Sequence, residues 1–225
     1  MHSGLDSFEK LLASRYSCRA FLPQPVKRTV IERILEIAQR TPSWCNAQPW
    51  RVHIASGAAT ERLRAVLLDA ARFEPAAPDY PFPREYRGAY LERRRECGWQ
   101  LYESVGIQRG DREASARQGM ENFRLFGAPH AAIVTTDEAL GVYGVLDCGA
   151  WINNFMLAAK SCGVASIAQA ALASRATAVR KFFGIGEERR IVCGISFGYE
   201  DASHAANQFR TRRAKLDEVA SWLEA

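Results

Sequence analysis

The chain has 225 residues, 48% of them hydrophobic and 24% charged; that composition excludes a disordered segment and suits one globular domain or a compact subunit of an oligomer. No stretch approaches the roughly 18 apolar residues of a membrane-spanning helix, and the six cysteines form no C-x-x-C pair, so neither a membrane span nor a disulfide framework is expected. The net charge of +5 favours anionic partners: a phosphate-bearing cofactor, nucleic acid or an acidic membrane surface.

The opening Met1-His2-Ser3-Gly4-Leu5-Asp6 lacks a basic region followed by a long apolar run, so no secretory signal is read and a reduced cytoplasm is the expected compartment. Residues 5–14 predict a short helix, followed by an irregular polar stretch over 14–19. Thr29, with Glu32 three residues on, makes a capping-box pattern. Val30, Ile31, Ile34, Leu35 and Ala38 recur at helical spacing and define a buried face, on a helix that Pro42 helps to end. Trp50-Arg51-Val52-His53-Ile54 alternates apolar with polar side chains, which predicts a half-buried strand. Residues 59–72 are helical again.

Prolines at 75, 78, 81 and 83 break up the next segment, and a basic amphipathic stretch follows over 84–102. Residues 73–120 therefore form an excursion from the core, helical and near the surface. Core-like sequence returns at Gly127, with a strand over 131–135, a long buried helix over 146–161 that Gly163 can end, and a short strand over 164–168. Ser174 is expected to cap a helix reaching Phe183, where Gly184 stops it. A strong strand covers 190–197, and a terminal helix begins at about Leu216. Alternating helices and strands place helices on the faces of a central sheet, with 1–225 as a single domain.

Two segments carry chemistry. Arg15-Tyr16-Ser17-Cys18-Arg19-Ala20-Phe21, followed by Pro25-Val26, reads R-x-S-x-R-x-F; Pro42-Ser43-Trp44-Cys45-Asn46-Ala47-Gln48-Pro49-Trp50 reads P-S-x-x-N-x-Q-P-W. In this order and at this separation the pair resembles the signatures of the FMN-dependent nitroreductases. Asn122-Phe123, Gly127-Ala128-Pro129, the long helix from Asp147 and Arg210-Thr211-Arg212 extend the resemblance over nearly the whole chain, with 73–120 matching least. Trp44 and Ala168-Gln169-Ala170-Ala171-Leu172 are similar to a nitrobenzoate-reductase-like subgroup.

The resemblance implies an α+β fold, a three-layer α/β/α sandwich around a mainly antiparallel sheet. It implies an intertwined homodimer with FMN at the interface and a C-terminal extension, from about residue 200, that embraces the partner. It also implies electron transfer from NADH or NADPH to nitroaromatic or quinone-like acceptors in ping-pong order. The flavin would carry the chemistry and no side chain need act as acid or base.

Site residues follow from the same resemblance. Arg15, Arg210 and Arg212 would clamp the phosphate, for which the planar guanidinium fork is suited; the plain alternative is solvated surface charge. Tyr16 and Ser17 would join them, Ser17 bonding the ribityl or phosphate region. Arg19 would sit beside the pyrimidine edge, where a fixed cation stabilises the negative charge that reduction places there. Pro42, Ser43, Trp44 and Asn46 would come from the opposite subunit, with Trp44 stacking on an aromatic substrate; a turn after a helix and a core Trp explain them equally well. Asn122 would touch the pyrimidine end, or else cap a helix. Backbone N–H groups around Ala168, Gln169, Ala170 and Ala171 would face flavin N5 and O4, although relatives carry Gly or Glu here.

Competing patterns are thin. His2, His53, His130 and His204 have no metal-ligand spacing, and Gly184-Ile185-Gly186 lacks the third glycine of a dinucleotide fingerprint. Arg84, Arg87, Arg93, Arg94 and Arg95, interleaved with Tyr86, Tyr90 and Trp99, could serve a nucleic-acid-binding protein. Glu85, Glu92 and Glu96 partly neutralise them, so a solvated helix face is the plainer reading, and neither nucleic acid nor membrane is the expected partner. The same segment could be a lid whose arginines attract a carboxylated aromatic. Dehalogenation, dehydrogenation and flavin breakdown remain alternatives on this fold.

Overall fold

The structure, a computed structural model, describes residues 3–224. In chain order it comprises α1 (Ser3–Ser14), α2 (Arg28–Ala38), β1 (Arg51–Ser56), α3 (Ala58–Phe73), α4 (Gly88–Ser104), α5 (Arg112–Met120), β2 (His130–Asp137), α6 (Gly141–Ser161), β3 (Ala165–Gln169), α7 (Ala170–Ala173), α8 (Ala176–Phe183) and β4 (Arg189–Gly198). The strands form one antiparallel sheet in the order β1-β2-β4-β3. A single parallel bridge joins Ser17 to Ser166 on the outer edge of β3. Among the described residues no helix is long and apolar enough to cross a membrane.

The layering follows from the two-residue period of β2. Its Ala131 and Ile133 point into a cluster with Leu63 and Leu67 of α3, Leu172 of α7 and Val179 of α8. Its Ala132 and Val134 point the other way, into a cluster with Ile31 and Ile34 of α2 and Trp151 and Phe155 of α6. Both faces of the sheet are thus covered, which gives the three-layer α/β/α sandwich. β4 carries a bulge: Val134 faces Cys193 and Thr135 faces Ile191, leaving Val192 as the extra residue.

Three local expectations are corrected. α2 starts at Arg28, with Lys27 as an N-cap that makes no side-chain bond. The Val26 amide is held by His130 Nε2 at 2.9 Å, so the chain has entered the helix before Thr29, and Glu32 pairs with Arg28 instead of closing a capping box. Ser174 does not start a helix: its hydroxyl donates back to the Ala171 carbonyl at the end of α7, and Arg175 precedes α8. The terminal helix is only a 3₁₀ turn over Leu216–Glu218. Leu216, Val219, Trp222 and Leu223 are all exposed, and so short a helix does not hold without an apolar surface to bury.

The excursion is helical, in α4 and α5, and neither helix buries a residue fully. Its proline-rich entry is pinned by Asp79, whose Oδ2 accepts from Arg180 Nη2 at 2.8 Å and from the Ile191 amide at 2.7 Å. Two of the interleaved aromatics are occupied within the chain, Tyr86 under Arg94 and Trp99 under Arg109, while Tyr90 is exposed. Arg84 and Arg87 both contact Glu85.

Candidate functional site

The first motif leaves α1 and runs along the edge of β3, where the Cys18 amide donates to the Ser166 carbonyl at 3.2 Å. It is tied from the other side by Asn207, a buried residue that no motif marks. Asn207 Oδ1 accepts from the Arg19 amide at 2.7 Å, and its Nδ2 donates to the carbonyls of Ala20 and Asp201. Cys18 is buried between them, and burial pushes its thiol up to about 11, so it is an inert filler at neutral pH.

This crossing of motif and C-terminal tail encloses a cavity of about 300 Å³, lined by Arg15, Tyr16, Ser17, Arg19, Arg210 and Arg213 among others. No carboxylate lines it, and among the described residues none of Arg15, Arg19, Arg210 and Arg213 has an acidic partner. Burial lowers the Arg15 guanidinium from its ordinary value, and the nearby Arg213 lowers it further; burial likewise lowers Arg19. Arg210 Cζ lies over the Tyr16 ring, 3.6 Å from its centroid, and Tyr16 Oη donates to Glu200 at 2.8 Å. Four cations around an acid-free hollow suit a dianion such as a phosphate monoester.

Arg19 also lines a second cavity of about 260 Å³, with Leu101, Tyr102, Gln118, Asn122, Ala168, Gln169 and Ala170. The two hollows thus meet at Arg19. Gln169 is a positioning group here: its Nε2 donates to the Asn122 carbonyl at 2.9 Å and its Oε1 accepts from Ser196. Its side chain is therefore spent inside the core, and Ala168, Gln169 and Ala170 line the cavity. α7 begins at Ala170, so the first amides of that helix have no intrahelical acceptor. The Asn122 side chain donates to the Gly119 carbonyl, at the end of α5.

The second motif stands apart. Pro42 and Asn46 line a cavity with Glu36, Gln39 and Gln48; Trp44 lines another with Tyr143 and Asp147. Neither shares a lining residue with the two cavities that Arg19 lines. Cys45, Asn46 and Gln48 are left-handed, with φ of 51°, 55° and 47°, a conformation that costs about 1–3 kcal/mol per residue. The turn is held by Ser43 Oγ, which accepts from the Gln48 amide at 2.9 Å, and by Asp147, which accepts from the Trp44 amide at 3.1 Å. Trp44 is 58% exposed and meets Tyr143 edge-on at 4.3 Å; it is not a core residue.

Arg212 lies outside the first cavity and bonds Glu96 of α4 through two atoms. Arg213 takes the place beside Arg15. Sequence reasoning had no signal for this choice, because an irregular tail has no period to say which arginine faces inward. Cys97, Tyr102 and Gln118, all from the excursion, were likewise missed as lining residues.

Comparison with known proteins identifies the family. The profile of the nitroreductase family matches residues 12–199. A 4-nitrobenzoate reductase of Pseudomonas putida is 36% identical over 209 residues, 92% of each chain. Nitroreductase NfnB of Mycolicibacterium smegmatis is 37% identical over 213 residues, covering 94% of this chain and 90% of the relative. The crystal structure of the FMN-dependent nitroreductase NfnB from Mycobacterium smegmatis in complex with NADPH superposes with a TM-score of 0.93 at 34% identity, covering 98% of this chain and 99% of that one. With both signature segments in place on a sheet of this topology, the chain belongs to the nitroreductase family.

Proposed function

We propose that this chain is an FMN-dependent oxidoreductase that takes electrons from a reduced nicotinamide and delivers them to nitroaromatic or quinone-like acceptors. The observation that carries this reading is the acid-free, four-arginine hollow joined through Arg19 to a second hollow of comparable size. The first would take a phosphate monoester and the second a flat ring system. Relatives named as nitrobenzoate, nitrobenzene and chloronitrobenzene reductases support the acceptor class, and the relative crystallised with NADPH supports that donor.

FMN, when bound, supplies the two-electron chemistry. Arg15, Ser17 and Arg210 hold its phosphate, and Tyr16 buttresses Arg210. Arg19 places a fixed cation at the ring edge, where charge develops on reduction. Asn122 and the backbone of Ala168, Gln169, Ala170 and Ala171 would contact its ring system. Pro42, Ser43, Trp44 and Asn46 complete the site from a second copy, which accounts for their separation from the arginine group within one chain. The exposed apolar face of α6, with Val142, Tyr143 and Leu146 beside Trp44, is the surface on which that copy sits. Donor and acceptor then use one slot in turn, and the chain's part is to orient them and exclude water.

The test is the absorption spectrum of the purified protein under nitrogen. A bound-flavin spectrum, bleached by NADPH or NADH and restored by 4-nitrobenzoate, is expected, with parallel lines in initial-rate plots. Protein that takes up no flavin from an FMN solution would sink the reading; intersecting lines would remove the shared slot.

A further inference from the structure

The arginines of the C-terminal tail do not share one role. Arg210 and Arg213 line the acid-free hollow together with Thr211. Arg212, between Thr211 and Arg213, turns out to α4, where its Nε meets Glu96 Oε1 at 2.7 Å and its Nη2 meets Glu96 Oε2 at 2.8 Å. One turn away on the same helix, Arg93 Nη2 bonds Glu218 Oε2 at 2.8 Å. Two cross-links therefore strap the tail to α4, and Cys97, next to Glu96, lines the hollow itself.

We propose that Glu96 is a positioning residue for FMN: it captures Arg212 and so sets the register in which Arg213 meets the FMN phosphate. The inference rests on the FMN reading above. Arg213 is suited to the role. Its Nη1 donates to the backbone of Thr211 and Arg212 and to Thr211 Oγ1, while its Nε and Nη2 have no acceptor among the described residues. It lies close enough to Arg15 to lower that guanidinium's affinity for its proton, so one dianion can answer both. Without the strap, Arg212 and Arg213, adjacent on a segment that no helix or strand holds, can exchange places at the hollow. The fork-on-carboxylate geometry removes that ambiguity.

The experiment measures FMN dissociation constants by flavin fluorescence on the full-length protein stripped of FMN. Arg213→Gln should weaken binding about tenfold or more, as loss of a hydrogen bond to a charged group does. Glu96→Gln and Arg212→Gln should each weaken it by the same smaller factor, about twofold to fivefold for an exposed pair, with no further loss when combined. The exchange Glu96→Arg with Arg212→Glu should restore wild-type affinity, and Glu96→Gln should speed tryptic cleavage in the tail. Wild-type affinity in Glu96→Gln overturns the inference. So does an Arg212→Gln loss as large as that of Arg213→Gln, which would make Arg212 the phosphate ligand. A wild-type chain that binds no FMN overturns the proposed function and this inference with it, whereas wild-type binding with an indifferent Glu96 overturns the inference alone.

Discussion

Arg19 and His130 show burial acting on two basic side chains with opposite results. Arg19 keeps its charge because no ordinary pH removes it, so it can serve as a fixed cation between the two hollows. Arg19→Gln should leave FMN bound but lower its two-electron potential by roughly 30–60 mV, the equivalent of about 1.5–3 kcal/mol for a lost bond to a charged group. Spectroelectrochemistry would read the shift, and an unchanged potential would remove Arg19 from the ring edge. His130 is neutral instead: Nε2 accepts from the Val26 amide, which leaves Nδ1 to bond Ser56 Oγ at 2.8 Å. Burial lowers its affinity for a proton below the ordinary histidine value. The unfolded chain therefore binds more protons, so stability is flat above about pH 6.5 and falls as the pH drops toward the folded value. Urea midpoints across pH 5–8 should show that slope, and the difference between wild type and His130→Gln should isolate it. Individual residues were the least legible feature of the sequence. Arg15, Ser17 and Arg19 were marked by a motif. The choice between Arg212 and Arg213 depended on a carboxylate 116 positions away, which no local pattern encodes.

Elements were read more faithfully where a period existed. The spacing of Val30, Ile31, Ile34, Leu35 and Ala38 predicted the buried stripe of α2, and Ile31, Ile34 and Ala38 are its buried residues. The break between α7 and α8 was missed because Ser174 satisfies a helix-end carbonyl as readily as it caps a helix start. α7 packs closely over a glycine: a Cβ on Gly194 of β4 would lie 2.8 Å from Leu172 Cβ. Gly194→Ala should therefore destabilise the fold by about 1–3 kcal/mol, the usual range for overpacking, and displace the amides of 170–171. Thermal melts with and without FMN would check both effects, and a variant as stable and as tight as wild type would show that α7 has room to shift.

At the scale of the whole molecule, the tail and the excursion could not be placed from sequence because their contacts are with remote parts of the chain. The excursion meets the tail through Glu96–Arg212 and Arg93–Glu218, and on the proposed function the exposed apolar residues meet a second copy. Leu146→Glu, on the 66% exposed position of α6, should shift the protein to monomer in size-exclusion chromatography and lower its FMN content together. Monomeric protein that keeps full flavin would separate the site from the interface. The bridge between Ser17 and Ser166 carries one more consequence. The segment holding Arg15, Ser17 and Arg19 looks like a loop, yet it is laid along the open side of an edge strand and closes it. Deuterium uptake at the Cys18 amide, whose acceptor is the Ser166 carbonyl, should accordingly be slow and keep pace with β3, opening only when that strand itself lets go.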